Sequence, residues 1–237
     1  MTPEQLAEQL GQQFLDELRT VVLYGSAAAG DFLPGVSNYN LLLLIEPLTS
    51  RELERLEPTI AAWSRAGNAP PLVFTPAELA ASVDAFPIEL LDIQQSRRVL
   101  WGEDLLAELR IEREHLRLQI ERELTGKLLS LRSQYLLTGG KPKAVGDLML
   151  RSLSTILVLL RAVLRLHQDQ VPARKLDAMR ELRKHLEFDI APFEELFAAR
   201  QRGVRPAAVP VSFGDYLRSI EQVVQAINQL SSRRSDA

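Results

Sequence analysis

The chain has no cysteine, so disulfides, thiolate nucleophiles and thiolate metal sites are excluded from the start. Aromatic residues are scarce at 6%, and histidine occurs only three times. A leucine-rich chain poor in aromatics leans towards helix. Long hydrophobic runs are also missing. The most apolar stretch, Leu153–Leu166, is broken by Ser154, Thr155, Arg161 and Arg165. A membrane span requires about 18–20 apolar residues in succession. The opening residues Met1–Gly11 are polar and acidic, unlike a secretory leader. A cytoplasmic protein with no membrane partner is expected. What remains is ordinary for a folded protein: 237 residues, 46% hydrophobic and 25% charged.

The net charge of −3 conceals an asymmetry. Residues 1–104 carry a net charge of −9 and residues 105–237 a net charge of +6. A shift this large at one place suggests two units of different character, 1–104 and 105–237.

The first part has mixed texture. Leu6, Leu10, Phe14 and Leu18 make one helical stripe over residues 4–18. Val21–Tyr24 is a short β-branched run ended by Gly25-Ser26, and a loop with Gly30, Pro34 and Gly35 follows. Tyr39–Ile45 is almost wholly apolar, as a strand covered on both faces would be. Ser50 is placed to cap a helix over Arg51–Ala66. Leu72–Phe74 reads as a third strand, Pro76–Val83 as a brief helix and Pro87–Gln94 as a fourth strand, with Arg98–Gly102 leading out.

After Asp104 the pattern is helical. Leu109, Leu116, Ile120, Leu124, Leu128, Leu131 and Tyr135 form a stripe over Leu105–Leu137, broken by Gly139-Gly140, with Pro142 forbidding its continuation. Val145–Gln168 should be the most buried helix. Further helices are expected from Pro172 to about Leu186, over Pro192–Arg202 and over Phe213–Leu230, with a frayed tail from Ser231. Tyr216, Ile220, Val223, Val224 and Ile227 should face inward in the last of these. The second unit is a helical bundle.

One segment carries more information than the rest: Leu23-Tyr24-Gly25-Ser26-Ala27-Ala28-Ala29-Gly30-Asp31, then Ser37-Asn38-Tyr39-Asn40 running into four leucines. It resembles the motif of the polymerase-beta-like nucleotidyltransferase superfamily, in the arrangement of kanamycin-nucleotidyltransferase-like proteins, where a helical bundle follows. The resemblance implies an α+β fold, a small mixed-sheet nucleotidyltransferase-like domain followed by a helical bundle. It also implies a phosphate cradle at Gly25, Ser26, Gly30 and Ser37, built from backbone N–H groups and a serine hydroxyl. In the family two aspartates at i and i+2 of the second strand hold divalent metal, and a third carboxylate comes from a later strand.

Both aspartate positions here hold asparagine, Asn38 and Asn40, and Leu72–Thr75 offers no carboxylate. Asparagine offers a carbonyl oxygen but no charge, so most of the attraction for a doubly charged ion is lost. The expectation is therefore a degenerate member, a pseudoenzyme without metal or other cofactor, acting by binding a nucleotide, a protein partner or a second copy of itself. The alternative is an active nucleotidyltransferase with a rebuilt magnesium site using Asp31, Glu89 or Asp92. Glu46 lies roughly 20 Å along the strand from Asn40, too far to share an ion.

Other constellations carry less. Glu112-x-x-His115 is half of a di-iron motif whose second copy is absent. Arg180 and His185 have the spacing of HEPN-type ribonucleases, which makes ribonuclease activity of the helical half a second alternative. The basic residues Arg180, Arg183 and Lys184 alternate with Glu181 and Glu187, as on a solvated face. No basic patch interleaves with aromatics, so specific nucleic-acid binding is not expected.

Overall fold

The computed structural model describes residues 1–28 and 38–235. The chain divides into two compact units, Met1–His115 and Leu116–Ala237. The first is a four-stranded mixed sheet with helices, the second a set of helices.

The sheet has the order β3-β2-β1-β4, with β1 at Leu18–Tyr24, β2 at Asn40–Ile45, β3 at Leu72–Phe74 and β4 at Arg97–Gly102. β1 is antiparallel to β2 and to β4, whereas β2 and β3 run parallel. The two central strands alternate between two apolar faces, as the twofold side-chain period requires. Val21, Leu23, Leu41, Leu43 and Ile45 pack with α1 (Pro3–Phe14) and α2 (Ser50–Arg65). Val22, Leu42 and Leu44 pack on the other face with Leu79 of α3 (Pro76–Ala81) and with Leu90 and Ile93 of α4 (Pro87–Gln95). A run of leucines buried on both faces is what the unbroken apolar β2 demands.

Several elements depart from the sequence reading. The opening helix ends at Phe14, and Leu18 begins β1. Thr49 rather than Ser50 caps α2, in a capping box with Glu52. Pro87–Gln95 is a helix, not a strand: Pro87 takes the first turn, and Leu90 and Ile93, three apart, turn into the core. The fourth strand is instead Arg97–Gly102, paired along β1. Gly102 (φ +73°) allows that pairing, since a β-carbon there would run into the Arg19 carbonyl.

Residues 105–111 fold with the sheet. Leu106 is fully buried, and Leu105, Leu109 and Ile111 pack beside it, so the long helix α5 starts only at Arg113 and runs to Leu137. Its stripe Leu116, Ile120, Leu124, Leu128 and Leu131 is buried, while Tyr135 is exposed and stacks on Phe213 with ring centroids 4.2 Å apart. Pro142 does not merely end a helix but opens α6 (Pro142–Arg165), where its missing N–H costs nothing. α6 holds more buried residues than any other described helix, and Leu153, Ile156, Leu157, Leu160, Val163 and Leu164 are fully enclosed.

Around α6 lie α7 (Lys175–Leu182), α8 (Ala191–Gln201) and α9 (Phe213–Ser235). The first of these is shorter than its sequence pattern suggests, and the last runs through the tail expected to fray. Tyr216, Ile220, Val223, Val224 and Ile227 of α9 are all buried, and the Tyr216 hydroxyl lies 2.9 Å from Ser152 Oγ of α6. No described helix is long and apolar enough to cross a membrane.

Candidate functional site

The Gly-Ser turn follows directly from β1. Tyr24 ends the strand, and Gly25 takes φ +77°, a conformation side chains resist, to turn the chain into one 3₁₀ turn over Gly25–Ala27. The Gly25 N–H donates to the carbonyl of Ser96 at 3.1 Å, and the Ala28 N–H donates to the Gly25 carbonyl at 3.1 Å. Ser96 is itself buried between α4 and β4. The turn is thus held by main-chain bonds. The Ser26 side chain is half-buried and its hydroxyl has no hydrogen bond among the described residues.

Across the sheet at this level runs a row of three residues. Asn40 pairs with Tyr24, and Tyr24 pairs with Arg97. Directly opposed residues share a face. That face carries Val22 and Leu42, with Tyr24 packed against their cluster. Asn40 closes over the turn: a β-carbon on Gly25 would stand 3.1 Å from its Nδ2. Burial pushes the Tyr24 hydroxyl pKa up, since the phenolate would be poorly solvated there. At the far end of the row the Arg97 guanidinium grips Asp104 through both carboxylate oxygens, at 2.7–3.0 Å, and donates to the carbonyl of Gln94. This pairing holds the Asp104 carboxyl below the usual carboxylate range.

Asn38 does not share the strand with Asn40. It precedes β2 and is exposed, so strand alternation does not place the two asparagines on one face. Gly30, Asp31 and Ser37 lie outside the described residues. Glu89 and Asp92 sit on helix α4, not on a strand edge, Glu89 exposed and Asp92 half-buried. Their helix packs on the sheet face that carries Asn40. Among the described residues no group of three His, Asp or Glu is placed to hold a metal ion. Among the described residues the donors at the turn, one neutral amide and one hydroxyl, do not fit a doubly charged cation that wants carboxylate oxygens.

Tyr24, Arg97 and Asp104 were not singled out by sequence. Tyr24 could have been, as the residue preceding Gly-Ser. Arg97 carried no signal, because its strand reads as an exit from the domain.

In the helical unit Arg180 is held by Glu194 at 2.7 Å and by Asp177 at 3.3 Å. His185 stacks on His167 and meets the Gln168 side chain at 3.3 Å. Both thus have structural partners. His115 is half-buried in the first turn of α5.

Together the sheet, the turn and the helices that follow define an α+β nucleotidyltransferase-like fold followed by helices. The solved structure of the spectinomycin adenyltransferase AAD(9) from Enterococcus faecialis, described with ATP and spectinomycin, matches this chain with a TM-score of 0.54. The match covers 96% of this chain and 97% of that one at 13% sequence identity, a likeness of fold. No protein-family profile matches the chain. No curated protein matches it.

Proposed function

We propose that this chain is a degenerate nucleotidyltransferase-like protein that binds a nucleotide at the Gly25-Ser26 turn without metal-dependent transfer. The observation that carries this reading is Asn40. It occupies the strand position beside the turn where the resemblance calls for an aspartate, and it is neutral. The turn keeps the means to meet a phosphate: the Ser26 hydroxyl is uncommitted among the described residues, and Gly25 presents no β-carbon. The fold neighbour was described with ATP, which makes an adenine nucleotide the first ligand to try.

The test is calorimetric titration with ATP, once in magnesium and once in chelator, beside an assay for transfer of label from ATP. Binding of similar strength in both conditions, with no transfer, is the expected result. Magnesium-dependent transfer would overturn it.

A second reading, an active nucleotidyltransferase acting on a small molecule or protein, is favoured by the position of α4. Glu89 and Asp92 belong to a helix that covers Asn40's side of the sheet. In that reading Glu89→Gln or Asp92→Asn abolishes transfer, and magnesium is required.

A further inference from the structure

The helical unit encloses a cavity of about 350 Å³ between the end of α5, the start of α6 and the segment leading into α9. Its size is at the small end of the range for small-molecule sites. The buried side chains of Met149 and Val211 line it, and Tyr135 and Phe213, stacked 4.2 Å apart, supply an aromatic wall. Gly146 fixes the opposite segment in place: the Pro206 carbonyl stands 1.9 Å from where its β-carbon would be, so the chain at 206 lies directly on α6. An apolar lining with one aromatic wall suits a planar aromatic guest.

The polar groups at this cavity favour an anion. Residues 124–146 and 196–214 hold every lining residue but Met149, and they carry seven basic side chains and no acidic one. Of the acids that follow these stretches, Asp147 lies roughly 160° around α6 from Val145 and Met149. Asp215 is taken up by the Ser212 hydroxyl and by Arg218. Lys141 stands between the lining residues Gly140 and Pro142, exposed and in no ion pair among the described residues. The Tyr135 hydroxyl likewise has no hydrogen bond among the described residues.

We propose that this cavity binds a small aromatic carboxylate. The ring enters the apolar space beside Tyr135 and Phe213, and the two carboxylate oxygens accept from the Lys141 ammonium and the Tyr135 hydroxyl. The apolar lining supplies most of the affinity, and Lys141 selects the charged ligand over its neutral counterpart. Every residue of the site belongs to the second unit, so the proposal stands apart from the Gly25-Ser26 turn.

The experiment uses the full chain and the fluorescent aromatic anion 8-anilinonaphthalene-1-sulfonate as probe. One equivalent of dye should bind and be displaced by 2-naphthoate, and about tenfold less well by the neutral 2-naphthalenemethanol. Val145→Phe should fill the cavity and abolish dye binding, its fold checked by circular dichroism. Lys141→Glu should weaken 2-naphthoate about tenfold and leave the alcohol unchanged. That split between charged and neutral ligand decides the matter even where Val145→Phe fails to fold. Absence of dye binding, binding that survives in folded Val145→Phe, or a Lys141→Glu variant that treats the two naphthalenes as wild type does would overturn the proposal. Displacement of the dye by ATP would assign it to the turn and overturn it too.

Discussion

Asn40 lies against Gly25: a β-carbon on Gly25 would come 3.1 Å from Asn40 Nδ2. The glycine is needed twice, for its φ of +77° and for that contact. Gly25→Ala should therefore cost about 1–2 kcal/mol in denaturant unfolding. Asn40→Ala in the same chain should relieve only the contact. A double variant as stable as wild type would show that the backbone conformation carries no strain.

Asn40→Asp places a carboxylate beside the turn, packed near Tyr24 and short of solvent. Its pKa should rise above that of a free aspartate, so the variant should lose about 1 kcal/mol at neutral pH, and the loss should shrink as pH falls through that raised pKa. With Asn38→Asp added, the melting temperature should be the same in chelator and in magnesium, because residue 38 stands ahead of the strand that holds residue 40. Thermal melts in the two buffers check this. Recovery in magnesium would mean that two carboxylates at 38 and 40 do converge.

The Arg97–Asp104 pair should be visible in acid. Asp104 has a folded pKa below its unfolded one, so its stabilisation is present above the unfolded value and disappears as pH falls through the folded value. Below roughly pH 4 wild type should lose stability faster than Asp104→Asn, with the two curves converging. Urea unfolding from pH 6 to 2.5 measures the difference, and parallel curves would remove Asp104 from the account.

Leu157 of α6 is fully enclosed. Leu157→Ala should cost about 2–5 kcal/mol, the range for truncations that leave a cavity. A loss under about 1 kcal/mol would contradict its burial.

The central strands were legible because their patterns had a single solution. β2 is apolar at every position after Asn40, and a glycine directly follows β1. The Pro87–Gln95 segment was not, since Ile88 and Leu90 alternate as in a strand while Leu90 and Ile93 repeat as in a helix. Nine residues are too few for periodicity to decide, and Pro87 at the first turn tipped the balance. With that segment taken as the fourth strand, the sequence carries no signal for β4 at Arg97–Gly102 or for the pairing of Arg97 with Asp104 just beyond it. The asparagines were legible as chemistry, but not as geometry: that Asn38 stands ahead of the strand depends on where pairing with β1 begins, at Tyr24 and Asn40.

The bond from the Gly25 N–H to the Ser96 carbonyl has a consequence for how such a protein changes over time. It ties the turn to the segment entering β4 without help from any side chain at 38 or 40. Substitutions there can remove charge while the turn keeps its outline. The charge beside the turn and the shape of the turn can therefore vary independently of one another.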